Sequence, residues 1–168
     1  AFAERVLRWI REAADIYKEV KATGKQRRIP RLRSWLGGSA RAGKSTTLQL
    51  CVQHGRLIVQ EMDVDATIEL TAYTGVAAFN IGFGARTACS SFQVFANAAW
   101  KNELSGDAYR KLERQWANVV LLIVDDVSFI GRAFFARLHF RLQQAKRQFF
   151  EEAGLDARDC TFGDISII

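Results

Sequence analysis

The run Val119-Val120-Leu121-Leu122-Ile123-Val124 constrains the fold of this chain more than any other stretch. An unbroken aliphatic segment has no polar face, so a strand built from it must be covered on both sides. That is the position of an interior strand in a parallel sheet. Parallel neighbours need long crossover connections, usually helices. The run is also far too short to cross a bilayer, and no membrane partner is expected.

Amphipathic patterns supply the helices. Phe2, Val6, Ile10, Ala13, Tyr17 and Val20 recur at helical spacing until Gly24 and Pro30 interrupt them. Further helices are expected over 44–54, 74–80, 91–100 and 107–117, and one through Phe134, Leu138, Leu142, Ala145 and Phe149. Strands are expected at 33–36, 66–72 and 162–168. Strands alternating with helices indicate an α/β fold with a mainly parallel sheet flanked by helices. Residues 1–30 read as an amphipathic helix and basic linker, and 31–168 as the domain proper. The chain lacks an initiator Met and stops at Ile167-Ile168 inside an expected strand, so it is expected to be cut at both ends.

Charge is unevenly placed. Residues 1–36 hold 10 Lys+Arg against 4 Asp+Glu, and the remainder 14 against 14. The excess is densest at Lys25-Gln26-Arg27-Arg28 through Arg33, which could meet phosphates or simply form a solvated face and linker. Cys51, Cys89 and Cys160 are odd in number and far apart, and only two histidines are present. A disulfide framework or zinc site is therefore not expected; reduced, buried thiols of an intracellular protein are.

Gly38-Ser39-Ala40-Arg41-Ala42-Gly43-Lys44-Ser45 fits G-x-x-x-x-G-K-[ST] between an expected strand and an expected helix. Backbone N–H groups of such a loop, continuing through Thr46 into the helix, cradle polyphosphate oxygens. Lys44 is the candidate to neutralise the β- and γ-phosphates, and the Ser45 hydroxyl to take one Mg²⁺ position. Asp125-Asp126 follows the aliphatic run, at the strand end where open α/β sheets bind ligands. Asp125 is the candidate to hold Mg²⁺, through water, and Asp126 to orient or deprotonate an attacking water. A strand at 66–72 lies between the two motifs in sequence, an order that suits RecA-like ATPases. A third segment, Thr71-Ala72-Tyr73-Thr74-Gly75, brings a strand end, a turn and a helix start to the same edge. It reads either as a second phosphate site, for a nucleic-acid backbone, or as ordinary helix capping by Thr74.

These segments together resemble the PIF-type DNA helicases of superfamily 1 and their Helitron relatives. Gly38 to Ser45 matches that family's motif I, and Thr71 to Ala78 with Ile81, Gly82 and Thr87 to Ser90 its motif Ia. Leu122 to Ile130 matches its motif II, and the tail from Phe162 resembles the strand that feeds motif III. The resemblance covers about residues 34–168. It implies the N-terminal part of a RecA-like domain in a motor that couples ATP hydrolysis to 5′→3′ movement on single-stranded DNA. A second RecA-like domain would supply an arginine finger. ATP and Mg²⁺ are the implied cofactors, with Thr74 and Gly75, then Thr87 and Ser90, touching DNA. Two other readings stand beside it: an ATP-gated nucleic-acid-binding module with impaired hydrolysis, and a P-loop kinase-like enzyme. Departures from the pattern include Arg41 in place of glycine, a side chain expected to fit only with negative φ. Asp126 replaces a glutamate. Phe92, Phe95 and Trp100, like Phe134, Phe135 and Phe149, are expected in the core rather than stacked on bases.

Overall fold

The computed structural model describes residues 1–24, 27, 29–39, 41–95, 100 and 103–168. Its helices are α1 (Phe2–Thr23), α2 (Lys44–Glu61), α3 (Gly75–Ile81), α4 (Ala88–Phe92), α5 (Gly106–Trp116), α6 (Arg132–Ala145) and α7 (Arg147–Glu152). Its strands are β1 (Thr67–Ala72), β2 (Arg86–Thr87), β3 (Val119–Asp125) and β4 (Ser166–Ile167). They form one parallel sheet in the order β2-β1-β3-β4.

The aliphatic run is β3, and both its faces are covered. Leu121 and Ile123 point into a core shared with Val6, Trp9 and Ile10 of α1 and with Leu48, Cys51 and Val52 of α2. Leu122 and Val124 point the other way, into a core with Phe92, Leu112, Trp116, Leu138 and Leu142. The two-residue side-chain period of a strand produces this division. Helix α1 thus packs onto the same core as the loop-bearing helix α2. No helix among the described residues is long and apolar enough to cross a membrane.

Several expected elements differ in the structure. The strand expected at 33–36 is reduced to one bridge, Arg33 beside Ile167. Ser34 N–H donates to the Ile167 carbonyl (3.1 Å) and Ile167 N–H to that of Leu32 (2.9 Å). The strand expected over 162–168 shrinks to β4, because a tight turn precedes it with Phe162, Gly163 and Asp164 all at positive φ. The helix expected through Phe149 breaks at Lys146, so Phe150 is buried and Phe149 is 64% exposed. The helix expected over 91–100 ends at Phe92, where Gln93 turns left-handed; residues 96–99 lie outside the described ones. Phe95 is consequently exposed, while Phe92 is buried as expected. Phe134, Phe135 and Trp100 are only partly buried against the second core, the Trp100 ring lying under the Arg141 guanidinium at 4.3 Å. Cys51 and Cys160 are buried and Cys89 half-buried; burial pushes the Cys51 thiol up to about 11.

The strand expected between the two phosphate-related motifs in sequence forms as β1. In space, β4 separates residue 33, which leads into the loop, from β3, which carries Asp125. The strand at 66–72 instead lies on the far side of β3. Of the basic run, Lys25, Gln26 and Arg28 fall outside the described residues. Arg27 pairs with Glu19 (2.6 Å) and Arg31 with Asp164. Arg33 donates to the Leu32, Ile165 and Thr161 carbonyls. Arg27, Arg31 and Arg33 thus serve internal bonds.

Candidate nucleotide and nucleic-acid site

The glycine-rich segment leads directly into α2. Gly43, the residue before the helix, has φ +76, a conformation that costs glycine nothing and any side chain something. It turns the chain so that Lys44 begins the helix. The Lys44 ammonium donates to the Gly38 (2.9 Å) and Ser39 (2.8 Å) carbonyls, folding its side chain back along the loop. Ser45 donates its hydroxyl to Asp125 Oδ2 at 3.3 Å. Residues 80 positions apart are thereby joined across the carboxyl edge of the sheet.

These groups open onto a cleft of about 950 Å³ lined by Gly38, Arg41, Gly43, Lys44, Ser45 and Thr46 on one side, and by Asp125 and Asp126 on another. A volume in this range suits a nucleotide. Ala42 closes the loop by donating its N–H to the Ser39 carbonyl (3.3 Å). Ala40 lies outside the described residues. Asp125 ends β3 and is half-buried; Asp126, the next residue, is exposed and left-handed with φ 56. Aspartate tolerates that region better than most side chains. The expectation of a negative φ at position 41 is overturned: Arg41 has φ 61 and is exposed.

The donor set fits a magnesium ion bound together with phosphate. Ser45 and Asp125 offer hard oxygen ligands, and Mg²⁺ keeps several waters and takes few protein groups. Among the described residues no group of three His, Cys, Asp or Glu forms a metal cage.

The third segment reaches the same edge by register. Ala72 of β1 is aligned with Asp125 of β3 on one side and with Thr87 of β2 on the other. Thr74 begins α3, its hydroxyl oxygen accepting from the Ala77 N–H at 3.1 Å. Thr87 begins α4 in the same way, accepting from the Ser90 N–H at 3.3 Å. The capping reading of Thr74 therefore holds. Each hydroxyl keeps its own proton to donate, because only its oxygen is used. Gly75 is the first residue of α3. Glu69 of β1 fastens β2 and α4 in place: Arg86 donates to it at 2.6 Å and Ser91 at 3.3 Å.

The family described as PIF1-like helicase matches residues 13–168. The chain belongs to the PIF1-like helicase family. Its match begins within α1, upstream of the motifs that carried the resemblance. Among solved structures, the Bacteroides Pif1 bound to ssDNA is 17% identical with a TM-score of 0.54, covering 95% of this chain and 30% of that one. The Bacteroides sp Pif1 in complex with ADP-AlF4 is 19% identical with a TM-score of 0.51, covering 93% and 30%. A structure of two coordinating Pif1 helicases at forked dsDNA is 18% identical with a TM-score of 0.53, covering 93% and 31%. These likenesses show the RecA-like fold. The present chain spans about 30% of the length of those proteins. No curated protein matches the sequence.

Sequence reasoning missed the aromatic wall of the cleft. Trp35, Phe135 and Phe162 line it beside Arg33. The signal for Trp35 was its place three residues before the loop, masked by the expectation of a strand there. Trp35 is 68% exposed, whereas Trp9 and Trp116 are buried and Trp100 lies under Arg141. Adding nucleotide is therefore expected to change tryptophan emission chiefly through Trp35. Emission titrations of the chain and of Trp35→Phe check this; a change that persists undiminished in the variant contradicts the placement of the nucleotide.

Proposed function

We propose that this chain forms the N-terminal ATPase part of a DNA helicase that couples ATP hydrolysis to 5′→3′ movement along single-stranded DNA. The observation that carries the reading is the Ser45–Asp125 contact at 3.3 Å, which brings the loop and the acidic strand end of a PIF1-like helicase chain to one point. In this reading the loop N–H groups and Lys44 bind the phosphates of ATP. Ser45 and Asp125 hold Mg²⁺, which when bound neutralises developing phosphoryl charge. Asp126 orients the water. Thr74, Gly75, Thr87 and Ser90 meet the DNA backbone along the edge that the register of β1, β2 and β3 defines. The ssDNA and ADP-AlF4 complexes of the Bacteroides proteins support DNA and nucleotide as ligands.

A second RecA-like domain would complete the site with a charge-stabilising arginine. The present chain alone is therefore expected to hydrolyse ATP slowly, with kcat more than about tenfold below the usual enzyme median of roughly 10 s⁻¹. Single-turnover phosphate release, followed with and without single-stranded DNA and in Asp125→Asn, tests the reading. Slow release that DNA stimulates and the substitution abolishes supports it. Phosphoryl transfer to a small acceptor, with no response to DNA, contradicts it and favours a kinase-like enzyme.

A further inference from the structure

Arg41 departs from expectation in conformation and in surroundings. Its φ of 61 places a long, charged L-residue in the left-handed region, where Cβ crowds the following carbonyl. Strain of this kind persists where function keeps it. The cations lining the cleft are Arg33, Arg41 and Lys44. Arg33 is committed to the Ile165 (2.6 Å) and Thr161 (3.1 Å) carbonyls, and Lys44 to those of Gly38 and Ser39. Among the described residues Arg41 makes no hydrogen bond or ion pair, although it stands within the loop itself. Its planar guanidinium fork matches phosphate oxygens two at a time.

We propose that Arg41 is a phosphate ligand of this loop, adding charge-assisted bonds to the nucleotide polyphosphate from the same segment whose backbone cradles it. The inference rests on the nucleotide-binding reading above and deepens it. The strained φ is then the conformation in which Arg41 lines the cleft.

Two substitutions separate ligand from strain. Arg41→Gly removes the guanidinium and the strain together; Arg41→Asn removes the guanidinium while tolerating the left-handed region. Titration of the 168-residue chain with MgATP at two salt concentrations, alongside thermal melting, reads both effects. For Arg41→Gly the expected result is a rise in Tm of about 2–4 °C, with ATP affinity about tenfold lower and less salt-dependent. Arg41→Asn should show the same affinity loss without depending on glycine flexibility. ATP binding as tight as or tighter than the parent's in both variants overturns the proposal and leaves the nucleotide site standing. Failure of the parent chain to bind MgATP overturns the nucleotide reading, and the role of Arg41 with it.

Discussion

Lys44→Ala is expected to weaken ATP binding on the order of a hundredfold while leaving Tm within about 2 °C of the parent. The two effects part because the ammonium does different things in the two states. Without nucleotide, its partners are the Gly38 and Ser39 carbonyls, both exposed residues of the loop. Losing such surface bonds changes stability by roughly 0.5 kcal/mol or less. In the proposed nucleotide complex, the same ammonium would lie against phosphate oxygens. Each hydrogen bond to a charged group contributes about 1.5–3 kcal/mol, which spans one to two decades of affinity. Calorimetric titration with MgATP measures the loss. Affinity within about threefold of the parent's would show that the phosphates do not lie against Lys44.

Gly163→Ala is expected to destabilise the fold by about 3 kcal/mol, the sum of left-handed strain and steric overpacking. Gly163 has φ +57, and a Cβ there would lie 2.5 Å from the Leu142 carbonyl oxygen and 2.9 Å from its carbon. Backbone cannot retreat as a flexible side chain can, because α6 is held by Leu138 and Leu142 in the second core. Lys146 closes the other side, its Cγ 3.1 Å from the same point. The turn matters to the site. Phe162, which lines the cleft, donates its N–H to His139 Nδ1 at 3.0 Å, and the segment after Gly163 enters β4. Gly154→Ala is the control: Gly154 also has positive φ, but nothing lies within 4 Å of an added Cβ. It should lose only about 1 kcal/mol. Urea unfolding of both variants makes the comparison, and equal losses would contradict the packing account.

The turn at Gly163 also marks where the amino-acid sequence stops being legible. β3 was readable because an aliphatic run with no polar face leaves an interior strand as its natural place, and the division of Leu121 and Ile123 from Leu122 and Val124 follows from the strand period. The loop before α2 was readable because its glycines, Lys44 and Ser45 act locally, and their meeting with Asp125 follows once both end at one sheet edge. Short pairings were not readable. β4 forms by pairing with β3, and the bridge at Arg33 exists because residues 130 or more positions away supply acceptors, the Ser166 hydroxyl oxygen to the Leu32 N–H and the Ile165 carbonyl to Arg33. Periodicity around Phe149 pointed to a single helix, and the break at Lys146 moved burial by one residue, to Phe150. The conformation of Arg41 was misjudged for a related reason: steric preference disfavours a left-handed arginine, and the cradle geometry of the loop outweighs it.

The joining of the loop and β3 through a shared metal position is the central claim, and a thermodynamic cycle tests it most directly. ATP is titrated into the parent chain and into Asp125→Asn, each with Mg²⁺ and again with the ion chelated. If Ser45 and Asp125 hold the ion that accompanies the phosphates, chelation lowers the parent's affinity at least about tenfold. Asp125→Asn then shows a similar loss in Mg²⁺ and little further loss on chelation. Equal responses to chelation in both proteins, or ATP binding indifferent to Mg²⁺ in the parent, would contradict the account.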